Sequence, residues 1–393
     1  SEREFVMATA KAPTFRFNDI FQFMCSLYGE DLHTKRVYSL ANATLGVMTG
    51  AALGVQTIGA ALAHARGLYP KHAVKQVDRL LSNKGIDVWG AFAKWVPYVV
   101  GARTEVVLAM DWTDFARDGQ STIMISMVTR HGRATPLIWR TVDKRALKEN
   151  RNFHEDAALR RLHEVLPEGT QVTLLADRGF GDQKLFDFLE YELGFNDVIR
   201  FRENSYVTST SGEQRKAAAW VGQGGRAKTL RNATVTAQHC PVNTVVCVHD
   251  KNMKDAWCLA ASDVTASART LINYYAKRWG IETAFRDTKD LRFGMGMSLL
   301  RIRSAQRRDR LFLLNAFAIV LLTLLGAACE TVGYDRYVKT NTVKKRTHSL
   351  FRQGCMVYDL LPNMPDKWLI PIMQAFAPLI DEHDSFDGVY GFV

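Results

Sequence analysis

The sequence predicts an α/β protein in which a mixed sheet, covered by helices, is preceded by an all-helical region and followed by a helical C-terminal region. Three observations predict this class. The first hundred residues contain few strand-like runs, short apolar runs alternate with turns and helical stretches from residue 104, and helical patterns return after residue 263. We therefore expect a helical region over 1–100, an α/β domain over 101–330 and a helical region over 331–393, in a chain of 393 residues that is long enough for two or three domains.

Within the first region, residues 55–83 predict two helices joined by a Gly-Leu-Tyr-Pro turn. The second helix would carry Lys71, Lys75, Gln76 and Arg79 outward and apolar residues on its other side. A helix-turn-helix protein presents such a helix to the major groove of DNA. A solvated helical hairpin has the same pattern, so both interpretations remain open.

The charge and the cysteines limit the partners and the compartment. Lys and Arg number 51 against 40 Asp and Glu, a net charge of +11, which favours nucleic acid first and an anionic membrane surface second. The six cysteines show no CxxC pair, as is typical of reduced thiols in a cytoplasm. The cluster His239, Cys240, Cys247 and His249 could ligate zinc, although alternating residues of two strands explain it equally well.

One segment raises the possibility of a membrane protein. Residues 311–329 have only Asn315 and Thr323 as clearly polar side chains and are just long enough to span a bilayer. A core helix buried on all sides has the same composition, and we prefer it because the surrounding chain is typical of soluble proteins.

The α/β domain begins with strands that carry aspartates. "TEVVLAMDW" predicts a strand that ends at Asp111, and "TQVTLLADRGF" predicts one that ends at Asp177; "STIMISMVTR" and "ATPLIWRTV" lie between them as a hairpin. If the two strands are neighbours, their carboxylates converge. A third carboxylate from a packed helix would complete an all-oxygen site for Mg²⁺ or Mn²⁺, and paired ions there can cleave a phosphodiester. We expect residues 204–256, which are rich in short β-like runs, to form an insertion.

The segment "YYAKRWGIETAFRDTK", 274–289, supplies that third group. Read as one helix, it places Tyr275, Arg278, Glu282 and Lys289 within about 60° of one another. Glu282 would then bind metal while the others hold phosphates, and Trp279 lies close enough to stack on a base. Arg278 and Glu282 are also spaced as an i,i+4 surface ion pair, so a solvated face remains an alternative.

The other carboxylates near these motifs are less suited to the site. Asp114 would face the opposite side of its strand from Asp111, three residues earlier. Asp287 and Asp290 lie well off the Glu282 face. We interpret all three as solvated or structural.

The spacing Tyr-x2-Arg-x3-Glu-x6-Lys resembles, without a gap, the signature of the insertion-sequence family that includes the Tn-five and Tn-ten transposases. "MDWTDF" and "ADRGF" resemble the blocks around that family's two catalytic aspartates, and "KQVDRLLSN" and "FGMGM" resemble the Tn-ten branch. The resemblance implies an RNase H-like core that a β-rich insertion interrupts between the second aspartate and the glutamate. It implies that Asp111, Asp177 and Glu282 are DDE metal ligands, that Tyr275, Arg278 and Lys289 bind phosphates, and that Trp257 stacks on a flipped base; a core tryptophan is the alternative for Trp257.

The resemblance predicts a cut-and-paste DNA transposase in the bacterial cytoplasm, at the nucleoid. It would bind terminal inverted repeats as a homodimer, cleave them with two Mg²⁺ ions (or with Mn²⁺ as a substitute) through a hairpin intermediate, and join the 3′-hydroxyl ends to target DNA. Three alternatives remain: a structure-specific nuclease or resolvase, a non-catalytic DNA-binding protein, and a membrane-attached protein.

Overall fold

A computed structural model describes residues 15–180, 183–236, 239–292, 294–340, 342–381 and 389. Phe293 of the "FGMGM" block and the ends of the two expected helical regions therefore lie outside the described residues. The chain forms two compact units. The described residues of Ser1–Asn83 and Leu314–Ser385 form the first, and those of Lys84–Leu313 and Phe386–Val393 form the second.

Along the chain, the described elements are helices first, then strands with helices, then helices again. The helices are α1 Phe17–Tyr28, α2 Thr34–Gly50, α3 Val55–Arg66, α4 Pro70–Ser82, α5 Val88–Val100, α6 Arg151–Val165, α7 Gln183–Asp187, α8 Ala268–Lys277, α9 Trp279–Lys289, α10 Ala305–Thr331, α11 Leu350–Leu360 and α12 Asp366–Asp381. The strands are β1 Glu105–Phe115, β2 Gln120–Val128, β3 Ala134–Asp143, β4 Gln171–Ala176, β5 Asn196–Phe201, β6 Tyr206–Thr208, β7 Gln214–Lys216, β8 Lys228–Val235, β9 Cys240–Val248 and β10 Trp257–Ala261.

The first unit contains the two helices predicted within residues 55–83, as α3 and α4. Gly59 of α3 allows them to touch, because a Cβ there would lie 2.5 Å from the Cα of Val74 on α4. The side chains of Lys71, Lys75 and Arg79 are exposed on α4, while Ala73, Val77, Leu80 and Leu81 are buried and Val74 is half-buried.

Helix α10 is the apolar segment that could have indicated a membrane span. Among the described helices, α10 alone is long and apolar enough to cross a membrane. Helices α2 and α3 are long and apolar enough only when they are taken together as one span that is bent by 96°. In the most apolar 18-residue stretch of α10, 89% is buried inside the protein. Such burial is typical of a core helix, which is the interpretation that the sequence favoured.

The second unit is built on a ten-stranded sheet in the order β3-β2-β1-β4-β5-β10-β9-β8-β6-β7. Strands β1, β2 and β3 pair antiparallel, β1, β4 and β5 pair parallel, and β10 returns antiparallel beside β5. The predicted mixed sheet is therefore confirmed. Strands β6 to β9, from the segment 204–256, extend this same sheet rather than forming a separate layer.

Two boundaries differ from the sequence prediction. Strand β1 does not end at Asp111 but continues to Phe115, because Asp111 to Phe115 keep pairing with β2 after the pairing with β4 has ended. The units also divide near residues 83 and 313, not 100 and 330. Helix α5 belongs with the sheet because Trp95 donates its indole N–H to the Pro136 carbonyl at 2.8 Å, and Phe92 packs edge-on against Trp139.

The proposed zinc cluster is separated by strand β9. Cys240 and Cys247 lie at opposite ends of it, about 23 Å apart at 3.3 Å per residue, and the seven-residue spacing places them on opposite faces. His239 precedes one end and His249 follows the other, so the four side chains do not converge. The strand interpretation is the correct one.

Strand β5 contains a buried carboxylate, Asp197, that predicts a pH-dependent stability. Burial raises the pKa of Asp197 to about 8, and the negative charge of Glu190 adds to the rise. Among the described residues no donor lies within hydrogen-bond distance of its Oδ1 atom. Between pH about 4 and 8 the folded protein keeps a proton that the unfolded chain has released, so the free energy of unfolding falls as the pH rises through this range.

We expect Asp197→Asn to remove this pH dependence. Urea denaturation at pH 8.5 should show the variant to be more stable than the wild type by about 1 kcal/mol or more, because one unit of pKa shift corresponds to about 1.4 kcal/mol. At about pH 3.5, where both the folded and the unfolded wild type keep this proton, the two proteins should differ little. An equal change in unfolding free energy with pH for both proteins would show that Asp197 is not the responsible group.

Candidate active site

The two candidate aspartates lie side by side because of the register of two parallel strands. The last pair between β1 and β4 is Met110 with Ala176, and Asp111 and Asp177 are the next residues on the two chains. Neighbouring strands are about 4.8 Å apart, so the two backbones hold the carboxylates at one level. Both side chains are partly open to solvent, with exposed fractions of 25% for Asp111 and 32% for Asp177.

Helices α8 and α9 bring the third carboxylate to this edge of the sheet. Leu271 and Tyr275 from α8, and Ile281 and Ala284 from α9, are buried in one cluster with residues of the sheet, including Ala109 next to Met110. The two helices are not the single helix that the sequence predicted. They are divided at Arg278, where the N–H of Arg278 bonds to the Tyr275 carbonyl and the N–H of Ile281 bonds to the Arg278 carbonyl, both at 3.0 Å in the tighter i→i−3 pattern.

Arg278 lies at the centre of the site. Its guanidinium donates to Asp111 Oδ2 at 3.2 Å through Nη1 and to Glu282 Oε1 at 2.5 Å through Nη2. Its side chain is only 9% exposed, against 34% for Glu282. The Arg278–Glu282 pair is therefore not the solvated surface pair of the alternative interpretation, because the arginine is buried and also reaches the neighbouring strand.

The pKa shifts show that negative charge is concentrated here. Burial raises the pKa of Asp111, and the charges of Asp177 and Glu282 raise it further against the opposing effect of Arg278. Burial also acts to raise the pKa of Asp177, but the backbone N–H of Arg178, the charge of Arg278 and the hydroxyl of Tyr275 together hold that pKa below its usual value. Burial acts to lower the pKa of Arg278, yet the surrounding tyrosine and carboxylates raise it.

The three carboxylates repel one another at a partly open edge of the sheet, and they supply only oxygen ligands. A hard divalent cation, which prefers such ligands, therefore fits this set of side chains. The side chains are nevertheless arranged around Arg278. In the described part of the chain, no three His, Cys, Asp or Glu side chains are close enough to hold one ion. An ion that bound between Asp111 and Glu282 would take over the contacts that the guanidinium now makes.

Tyr275 and Trp257 form the wall beside Asp177. The Tyr275 hydroxyl donates to Asp177 Oδ1 at 2.9 Å, and burial raises the pKa of this tyrosine, so it stays a donor. Trp257, at the start of β10, is partly exposed, and its ring meets that of Tyr275 edge-on with centroids 4.9 Å apart. The indole is therefore partly open to solvent beside the tyrosine that contacts Asp177.

Lys289 reaches the opposite side of the site from α9. Its ammonium donates to Thr113 Oγ1 at 3.0 Å and to the Asp114 carbonyl at 2.8 Å, both on β1. Burial lowers the pKa of Lys289, and the nearby Arg308 adds to this lowering. The lysine thus lies along the strand that carries Asp111.

The remaining candidates are further from the carboxylates or engaged elsewhere. Trp279 is 63% exposed at the start of α9. Asp114 is exposed and pairs with Lys144 at 2.6 Å, and Asp287 is buried and accepts from Arg133 Nε at 2.6 Å, as the solvated and structural interpretations predict. Asp290 accepts from the Arg292 backbone N–H at 2.7 Å, which is also a structural contact.

Two contacts were not anticipated from the sequence. Arg200 of β5 places Nη1 4.0 Å from Asp177 Oδ1, with its side chain only 15% exposed. Glu155 of α6, which is 4% exposed, accepts the indole N–H of Trp112 at 2.7 Å and so holds the residue after Asp111. The only sequence signal was the alternation of Arg200 and Arg202 in a strand, which solvated side chains produce as well.

The family described as Transposase DDE domain matches residues 102–321 of the chain. This match covers more than half of the chain and includes every residue of the site described above. The chain belongs to this family. No curated protein matches it. Membership makes the protein a DDE transposase, an enzyme that uses divalent metal ions to cleave DNA and transfer its strands, and the mixed sheet of the second unit is consistent with the RNase H-like core of a DDE domain.

Proposed function

We propose that this transposase is a cut-and-paste enzyme of the kind represented by the Tn-five and Tn-ten transposases, and closer to the Tn-ten branch. It cleaves at terminal inverted repeats, exposes a 3′-hydroxyl, forms a hairpin on the element end, reopens it and joins the end to target DNA. The observation that carries this proposal is that Arg278 bridges Asp111 and Glu282 while Tyr275 contacts Asp177, so that three of the four signature residues meet the two aspartates at one edge of the sheet.

Asp111, Asp177 and Glu282 are the residues that would hold metal, which we take to be two Mg²⁺ ions with Mn²⁺ as a substitute. When bound, such ions activate the attacking water or hydroxyl and stabilise the leaving oxygen. One set of three carboxylates can therefore serve hydrolysis, hairpin formation and joining, because each is a displacement at phosphorus in which only the nucleophile differs.

Tyr275, Arg278 and Lys289 would hold the phosphates around the scissile bond. Tyr275 contacts Asp177 at one end of this edge of the sheet, and Lys289 contacts the Asp114 carbonyl at the other. Arginine binds phosphate oxygens in a bidentate way, and lysine binds as a point charge. Arg278 can take this role only when its guanidinium is released from Asp111 and Glu282.

Trp257 is proposed to stack on the base that is flipped out at the hairpin end, with Trp279 as a second aromatic contact. We expect Trp257→Ala to slow hairpin formation about tenfold or more, because stacking on an aromatic ring is worth about 1–3 kcal/mol per base. The first nick should be nearly unaffected, since it needs no flipped base. Quantifying nick and hairpin separately on a denaturing gel tests this, and equal slowing of both steps would contradict the stacking role.

The other parts of the proposal concern DNA binding and assembly. We assign repeat recognition to the helices of the first unit that precede Asn83, through Lys71, Lys75 and Arg79 of α4, whose exposure supports contact with a major groove. The second unit carries the chemistry, and the helical region over 331–393 serves dimerisation in a complex of two DNA ends. The place of action is the bacterial cytoplasm, at the nucleoid.

The test uses a duplex that carries the terminal inverted repeats flanking this gene in its source DNA. Incubation with protein and Mg²⁺ should give a nick at the repeat boundary and then a slowly migrating hairpin. Cleavage without hairpin or joining would replace this proposal with that of a structure-specific nuclease. Retarded migration with no cut product would contradict the catalytic assignment.

A further inference from the structure

We infer that Arg117, Arg301 and Arg303 form a second phosphate-binding surface, which we name the arginine strip, beside Lys289. Its ligand is the sugar–phosphate backbone of duplex DNA whose sequence varies, namely the DNA that flanks the repeat or the target. The inference rests on the proposed function for the identity of these duplexes. All three arginines belong to the second unit and have exposed side chains.

The chain between Arg301 and Arg303 is held in place at its central residue. The N–H of Ile302 donates to Asp118 Oδ2, and its carbonyl accepts from Gln120 Nε2, both at 3.0 Å. The Ile302 side chain is buried with 9% exposed, so its two neighbours alternate outward from it. Both arginines are therefore presented side by side from a fixed backbone, about 7 Å apart at the rise of an extended chain.

The positive charge of the strip is not neutralised within the described part of the chain. Asp118, the carboxylate below Ile302, pairs with the fully buried Arg308, which also donates to Gln120 Oε1 at 2.7 Å. No described carboxylate forms an ion pair with any of the three strip arginines. Arg117 instead donates to the Leu299 carbonyl at 2.9 Å, which fixes its direction and leaves its charge available.

The strip continues from the phosphate-binding side of the active site. Ser298 Oγ donates to the Lys289 carbonyl at 2.6 Å, so Arg303 lies within about 18 Å of that contact along the chain. Arg117 follows three residues after Asp114, whose carbonyl accepts from Lys289. A DNA backbone held by Lys289 can therefore run onto the strip without leaving the second unit.

The chemistry of the strip selects a duplex of variable sequence. Guanidinium groups bind phosphate oxygens strongly, but contacts to the backbone position DNA without reading its bases. Terminal repeats have a fixed sequence that base contacts can read, whereas flanking and target DNA do not. Backbone binding next to the scissile phosphate is what such DNA requires.

The experiment compares the variant Arg301→Gln/Arg303→Gln with the wild type on a random-sequence duplex at several salt concentrations. A matched control, Arg226→Gln/Lys228→Gln, removes the same charge at the same spacing from exposed residues next to or on β8, five strands away from β1 in the sheet. We expect the slope of log affinity against log salt to fall by about 1.8 in the strip variant, at about 0.9 per lost phosphate contact, and the affinity at 0.1 M salt to fall about tenfold or more. The control should keep the wild-type slope.

A second variant and a second assay keep the outcomes distinct. Arg301→Lys/Arg303→Lys should retain most of the slope, because it keeps both charges. A strip variant with the control's slope and affinity overturns the inference, even if the wild type cleaves repeat DNA normally. Failure of the wild type to cleave any repeat duplex instead contradicts the proposed function, while the binding data still decide the strip. Weaker cleavage only of repeats with flanking DNA assigns the strip to the flank, and weaker joining alone assigns it to the target.

Discussion

Replacing either end of the Arg278 bridge with an uncharged isostere, Asp111→Asn or Glu282→Gln, should lower the rate of strand cleavage at least about a thousandfold. This loss corresponds to about 4 kcal/mol of transition-state stabilisation at 1.36 kcal/mol per tenfold, which is the scale expected when a metal ligand is lost. Single-turnover cleavage of the repeat duplex measures the rate. Affinity for the same duplex should be kept or should increase, because the two carboxylates repel phosphates rather than bind them.

Asp114→Asn is the matched control for these two variants. It removes a carboxylate from the same strand, three residues after Asp111, but one that is exposed and paired with Lys144. Its cleavage rate should stay within about fivefold of the wild type, because its carboxylate pairs with Lys144 and a surface ion pair contributes at most about 1 kcal/mol. If the Asp114 variant lost as much activity as the Asp111 variant, the assignment of Asp111 and Glu282 as the reactive carboxylates would be wrong.

Removing the cation, by Arg278→Ala, should have the largest effect on stability. The variant lacks the cation that bridges Asp111 and Glu282. The other nearby cation, Arg200, reaches only Asp177, at 4.0 Å. Breaking a buried pair costs about 3–5 kcal/mol, and the partly open carboxylates reduce this to about 1–3 kcal/mol. Urea denaturation in the presence of a chelator measures the loss.

Adding Mg²⁺ should then stabilise the Arg278→Ala variant more than the wild type, and at lower Mg²⁺ concentration. The reason is that the metal and the guanidinium compete for the same carboxylate oxygens, and binding to the folded state alone raises stability. Arg278→Lys, which keeps a charge on a shorter reach, should fall between the two proteins. Equal stabilisation of all three by Mg²⁺ would show that Arg278 does not lie where the metal binds.

The sequence was sufficient for the parts of the site that depend on local patterns. Apolar runs ending at or near Asp111 and Asp177 predicted two strands, and the register of β1 with β4 places both residues at one level. The prediction that Tyr275, Arg278 and Glu282 act together came from their spacing. The structure brings all three to this edge, although they lie on two helices.

The parts that sequence could not supply depend on contacts between distant segments. The end of β1 is set by its pairing with β2, which an apolar run does not encode. The division of α8 from α9 occurs at Arg278, a residue with good helix propensity, where its side chain reaches Asp111 on a strand 167 residues away. Asp197 and Arg200 look like the solvated positions of an ordinary strand until β10 and the helices cover β5.

The most direct test of the account is the position of a bound metal ion. Crystals soaked in Mn²⁺ should show anomalous scattering among Asp111, Asp177 and Glu282, with the Arg278 guanidinium withdrawn from the Asp111 and Glu282 oxygens. The same soak of Glu282→Gln crystals should give a weaker peak or none. Manganese bound elsewhere, with Arg278 still bridging the two carboxylates, would contradict the claim that this edge of the sheet is the catalytic metal site.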